Sequence, residues 1–158
     1  MDFLDENKNK IIDITRKISG FMNLDCQVDV KEEIGQSAKV ILVSIYTPEN
    51  ARFLIGKNGQ NLKALEHLLR SVFLKPDKDV QNILVDVNDY KKSRATLVID
   101  LAKQAVSRVR NTQKAETLSP MSPYERRIVH MELASYPDVA TESIGEEPKR
   151  RIVIKPYP

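Results

Sequence analysis

Residues 51–74 read ARFLIGKNGQNLKALEHLLRSVFL, and this stretch decides the fold. Phe53, Leu54 and Ile55 end a short apolar helix. Gly56-Lys57-Asn58-Gly59 follows as a turn. Leu62, Leu65, Leu68 or Leu69, and Phe73 then recur at helical spacing, predicting a second helix. Glycine tolerates positive φ and lets another backbone approach closely. Two glycines around two polar residues therefore make a tight turn with bare amides, held between packed helices. Lys57 adds a charge and Asn58 an amide, a surface suited to a phosphodiester backbone. Taken alone, such a turn also serves as a plain joint between helices.

Working outward, residues 3–22 form an amphipathic helix with Ile11, Ile14, Ile18, Phe21 and Met22 on one stripe and Gly20 weakening its end. Its polar side is mixed in sign, which points to core packing rather than membrane attachment. Cys26 to Val30 alternates as a half-buried strand, Ile34 to Ser37 is a turn, and Val40 to Tyr46 is an apolar strand read as covered on both faces. Thr47-Pro48 starts the helix before the turn. Lys75-Pro76-Asp77-Lys78 breaks the chain, and Ile83, Val85 and Val87 alternate in a third strand. Asn88-Asp89 caps a helix to about Thr112, with Leu97, Leu101, Ala105 and Val109 as its buried seam beside Val98 and Ala102. A domain boundary is placed near Asp89, giving domains 1–88 and 89–158. With no Gly/Ser-rich linker, the second domain is expected to dock directly on the first.

Ser122-Pro123-Tyr124-Glu125 is a capping box with proline at the first helical position. On that helix Arg126 and His130 are four apart and share a face. An arginine fork can grip phosphate or stack on a base. Val139 to Ile144 and Arg150 to Lys155 then read as a β-hairpin, with Ile152 and Ile154 facing in and Arg151, Val153 and Lys155 facing out.

The sequence has 158 residues, 41% hydrophobic, with a net charge of +3. Residues 1–88 hold 12 Lys and Arg against 13 Asp and Glu, whereas residues 89–158 hold 13 against 9. Basic clusters at Lys91-Lys92-Ser93-Arg94, Arg126-Arg127 and Lys149-Arg150-Arg151 suit a polyanion. Each by itself also fits a solvated face. The single Cys26 cannot form an internal disulfide and reads as a core filler. With no secretory signal and no apolar run of membrane-spanning length, a cytoplasmic location is expected. Catalysis is not expected. His67 reads as a partly buried structural histidine, and no metal cluster, G-x-x-x-x-G-K-S/T loop or cofactor motif is present. Glu146-Glu147 would point to opposite faces of a strand.

The Gly56–Gly59 turn resembles the G-x-x-G loop of KH domains, which clamps single-stranded nucleic acid. The order helix, strand, strand, helix, turn, helix, strand is similar to the bacterial (type II) KH arrangement, three strands backed by helices. The text PMSPYERRIVHMEL…TESIGEEPKRRIVIKP resembles the R-three-H domain, a single-stranded nucleic-acid-binding module named for its Arg-x-x-x-His. KH followed directly by R-three-H is identified as the Jag (SpoIIIJ-associated protein) family, also called KhpB, of bacterial RNA-binding proteins. The implied fold class is α+β: a type II KH domain, then a small α/β R-three-H domain. Many members carry an extra amino-terminal Jag-N domain. This sequence starts about where the first KH helix is expected, as in a short member or a chain trimmed at a new Met.

The resemblance implies a non-enzymatic protein that binds single-stranded RNA, or single-stranded DNA, and regulates after transcription in connection with the cell envelope and division. Gly56, Lys57, Asn58 and Gly59 would grip the backbone, with Arg52 and Lys63 at the rim. Bases would lie in an apolar groove between the helix after the turn and its neighbouring strand. Arg126, Arg127 and His130, with Lys149, Arg150 and Arg151 along the hairpin, form a second contact. The alternative is a protein-interaction adaptor that docks a KH-domain partner or a second copy. An adaptor needs an exposed apolar patch, and every apolar stripe here has a core to fill.

Overall fold

The computed structural model describes residues 2–35, 38–75 and 80–158. The predicted turn residues Gln36-Ser37 and the chain break at Pro76-Asp77-Lys78 lie outside the described residues. The chain divides into two compact units, Met1–Tyr90 and Lys91–Pro158.

In the first unit the order is α1 (Phe3–Phe21), β1 (Gln27–Ile34), β2 (Lys39–Tyr46), α2 (Ala51–Ile55), a turn of 3-10 type (Lys57–Gly59), α3 (Gln60–Phe73) and β3 (Val80–Val87). This is the order expected of a type II KH domain. The sheet runs β1-β2-β3. β1 and β2 are antiparallel, with Val30 opposite Val43. β2 and β3 are parallel, with Val43 opposite Val85. A parallel pair needs a crossover between its strands, and α2, the turn and α3 are that crossover. The glycine turn is thus its midpoint, where the chain reverses.

Ile41, Val43, Ile45, Val30, Ile83, Val85 and Val87 are buried together with Leu54, Leu62, Leu65, Leu69 and Phe73 of the crossover helices. β2 was expected to be covered on both faces. Instead Ile41, Val43 and Ile45 are buried while Val40, Leu42 and Ser44 between them are half-buried. Its apolar run reflects a central strand with one sealed face.

Three local expectations are corrected. Phe21 of the α1 stripe is 87% exposed and Met22 lies at the surface. Asn23 adopts a left-handed conformation, and Leu24 N–H donates back to Ser19 O, ending the helix in a Schellman motif. Leu24 takes the core place instead. Within α1, Thr15 and Ser19 are buried because their hydroxyls donate to Ile11 O and Thr15 O. Next, α2 begins at Ala51 rather than at Thr47-Pro48, and Thr47 Oγ1 donates to Glu49 O. Finally, the Asn88 side chain does not serve as a helix cap. It brackets Thr47, accepting from its N–H at 3.0 Å and donating to its carbonyl at 2.8 Å.

The second unit is built from α4 (Tyr90–Thr112), β4 (Glu116–Thr117), α5 (Pro123–Leu133), β5 (Val139–Ile144) and β6 (Arg151–Pro156), with antiparallel sheet order β4-β6-β5. The fold class is therefore α+β. Val98, Ala102, Ala105, Val106 and Val109 pack with Val129, Leu133, Ile152 and Ile154. Leu97 and Leu101, expected in that seam, are 47% and 42% exposed. Val98 and Ala102, one place along α4, are buried in their stead. Val153, expected to face out, is buried. The capping box is present: Ser122 Oγ accepts from Glu125 N–H at 3.2 Å, and Glu125 Oε2 accepts from Ser122 N–H at 2.8 Å. The buried Glu125 also holds Arg94 Nε through Oε1 at 2.6 Å.

Candidate nucleic-acid interface

In the first unit the glycine turn is shaped by three left-handed backbones. Gly56 lies at φ 72°, ψ 179°, Asn58 at φ 53° and Gly59 at φ 78°. A methyl at Gly56 would fall 2.8 Å from Asn61 N, so only glycine fits. Asn61 Nδ2 donates to Phe53 O at 2.8 Å and ties the two helices across the turn. Gly56 N–H closes on Arg52 O and Gly59 N–H on Gly56 O. Lys57 and Asn58 stand between the two glycines. Both residues are exposed, and the 14-residue α3 starts directly behind them. A helix N-terminus favours negative charge.

Arg52 is exposed with its guanidinium 5.1 Å from the Phe53 ring centre, and Lys63 is exposed on α3. The expected groove between α3 and β3 is not apolar. Buried Glu66 accepts from Val85 N–H at 3.0 Å and pairs with Arg70, whose Nε donates to Ile83 O at 3.0 Å. These two side chains satisfy one N–H and one carbonyl of β3. The i, i+4 spacing of Glu66 and Arg70 was a visible signal of pairing, but only the parallel register brings Val85 within reach. The apolar depression beside the turn lies elsewhere, about 270 Å³ between α1, α2 and α3. Ile18, Phe53, Leu65 and Leu68 line it. Phe53 is 47% and Leu68 43% exposed, so an open apolar patch exists where none was expected. His67, expected to be partly buried, is exposed.

In the second unit the helical spacing brings Arg126 and His130 together, but on an inward flank of α5. Glu125, Val129 and Leu133 face the core, and the Arg126 side chain is only 10% exposed. Its Nη1 donates to Met121 O at 2.7 Å and its Nη2 to Glu147 Oε1 at 2.6 Å. His130 is half-buried with Nδ1 2.6 Å from Thr141 Oγ1. Burial, and then the Arg126 charge, hold its pKa below the ordinary 6.5. The ring is therefore neutral at pH 7. Arg127, Lys149 and Arg150 are exposed, and Arg150 Nε donates to Ser143 Oγ at 2.9 Å. Arg151 is half-buried, with its Nε buried and without a hydrogen-bond partner among the described residues. Glu146 and Glu147 stand in the β5–β6 turn, not on a strand as expected.

No group of His, Cys, Asp or Glu fit to hold a metal is found among the described residues. No helix among them is long and apolar enough to cross a membrane.

Residues 96–156 match the R-three-H domain family. The chain is 33% identical over 147 residues to RNA-binding protein KhpB of Clostridium symbiosum, covering 93% of this chain and 65% of that protein. It is 35% identical over 123 residues to RNA-binding protein KhpB of Bacillus subtilis (strain 168), covering 77% and 59%. The chain thus spans about three fifths of the length of these curated relatives. Its second unit carries an R-three-H domain, and the chain belongs to the Jag/KhpB family.

Proposed function

We propose that this chain is a non-enzymatic, cytoplasmic RNA-binding protein in which a type II KH domain (1–88) and an R-three-H domain (89–158) hold one single strand. The observation that carries this reading is the turn at Gly56–Gly59. Exposed Lys57 and Asn58, the two glycines around them and the N-terminus of α3 meet at one point. That combination suits a sugar-phosphate backbone. Outward-facing Arg127, Lys149 and Arg150 supply a second basic surface. Two weak contacts on one chain raise each other's effective concentration when both engage. The relatives named RNA-binding protein KhpB support RNA as the polymer; regulation after transcription tied to envelope and division is the physiological setting this reading proposes.

Sequence discrimination is expected to be modest. Glu66 and Arg70 already occupy Val85 N–H and Ile83 O, backbone groups through which the β3 edge could read bases. The test is binding of fluorescent single-stranded RNA to the full chain, with a matched DNA strand as competitor, before and after Lys57→Asp with Asn58→Asp.

A second reading is favoured by the depression around Phe53 and Leu68: a docking face for a KH-domain protein or a second copy. Phe53→Ser with Leu68→Ser would abolish such association and leave RNA binding in place. Salt separates the two readings, because phosphate-driven binding weakens steeply as salt rises and apolar docking does not.

A further inference from the structure

Resting on the reading that the second unit binds single-stranded RNA, we infer that Glu147 is a built-in competitor for the phosphate seat on Arg126. The guanidinium is anchored by Nη1, which donates to Met121 O. A second nitrogen, Nη2, donates to Glu147 Oε1 at 2.6 Å. The two partners differ sharply in exposure: the Arg126 side chain is 10% exposed and that of Glu147 is 53%.

This asymmetry sets which partner can leave. A buried guanidinium stripped of its anion would be left charged in a poorly solvated place, a costly state. Glu147 stands in the turn between β5 and β6 and regains water when it swings out. Arg126 therefore favours a state with an anion beside it, and the exposed carboxylate is the partner that can be exchanged. A phosphate oxygen accepts from the same N–H in the same charge-assisted way. An approaching strand is drawn by exposed Arg127, Lys149 and Arg150 and repels the carboxylate it replaces. The seat is occupied in the free chain, so its affinity for phosphate is reduced by the fraction of time Glu147 sits there.

Consequently the seat discriminates between anions by charge and reach. A single phosphate gains little, because it must evict a tethered carboxylate. A strand already held at a second point evicts it readily.

The test is fluorescence anisotropy of a labelled U12 RNA with the full chain at low salt, beside thermal melting. Glu147→Gln keeps an oxygen for Arg126 and removes the competing charge. It should tighten binding about 3- to 10-fold, as expected when an occupied seat is freed. Glu147→Asp retracts the carboxylate while keeping the charge, and should also tighten binding. Glu146→Gln removes a neighbouring charge from the same turn and should change binding far less. With Arg126→Gln in the background, the gain from Glu147→Gln should vanish. The inference is overturned if Glu147→Gln and Glu147→Asp bind no more tightly than the unmodified chain, as a purely structural clamp requires. An equal gain from Glu146→Gln overturns it too, because long-range charge alone would then account for the effect. If the unmodified chain does not bind U12 at all, the underlying RNA reading fails and takes this inference with it.

Discussion

Replacing Gly56 with alanine probes the geometry on which the proposed phosphate grip depends. Gly56 lies at φ 72°, ψ 179°, a region where a residue with a Cβ costs about 1–3 kcal/mol. The new methyl would also sit 2.8 Å from Asn61 N and 2.6 Å from Asn61 Cγ. A backbone nitrogen in the first turn of α3 cannot rotate away. Relief requires Asn61 to release Phe53 O, a further loss of about 1 kcal/mol. The sum is about 2–4 kcal/mol. In a unit of this size each kcal/mol lowers Tm by about 4–8 °C. Gly56→Ala should therefore melt at least about 8 °C below the unmodified chain in calorimetry.

Two other glycines calibrate the result. Gly59→Ala meets only the Tyr90 ring, at 3.3 Å, and a side chain can yield. Its left-handed backbone costs about 1–2 kcal/mol, so it should be the milder change. Gly20→Ala meets nothing within 4 Å on a helix and should stabilise by about 0.5–1 kcal/mol. The reasoning is refuted if Gly56→Ala melts within about 2 °C of the unmodified chain, or if Gly59→Ala proves the worse of the two.

Further outcomes follow from the same interactions. Glu66→Ala leaves Val85 N–H and Arg70 without this acceptor, and urea denaturation should show a loss of about 2–4 kcal/mol. A loss below about 0.5 kcal/mol would mean that water replaces the carboxylate. His130 has a folded pKa below the ordinary 6.5, so the unfolded chain takes up its proton first as pH falls. Its contribution to stability is full above pH 6.5 and is lost as pH drops towards the folded pKa. Comparing urea midpoints at pH 7.5 and 5.5, His130→Gln should lose less on acidification than the unmodified chain. An equal loss would place the sensitivity elsewhere.

Much of the fold was legible because it rests on local periodicity. The alternation of Ile83, Val85 and Val87 marks a strand, and Ser122 to Glu125 marks a helix start whatever surrounds it. The glycine turn was equally plain, since its chemistry lies in four consecutive residues. What escaped depends on phase and register. Helical spacing puts Arg126 beside His130 but does not say that Val129 and Leu133 turn that flank inward. Leu97 and Leu101 match the seam of α4 as well as Val98 and Ala102 do, and only the rotation of the helix in the folded unit buries the second pair. β4, two residues long, has no periodicity to read. Glu66 appears as a surface carboxylate until β3 pairs parallel with β2 and offers it Val85 N–H.

The proposed grip stands or falls on the exposed turn between α2 and α3. The direct measurement is the dissociation constant for single-stranded RNA across a salt series, for the unmodified chain and for Lys57→Asp with Asn58→Asp. The account predicts steep weakening with salt in the unmodified chain. In the variant it predicts weaker binding at low salt, a log–log slope shallower by about 0.7 for each phosphate no longer neutralised, and the same melting temperature. Superimposable curves for the two proteins would contradict it.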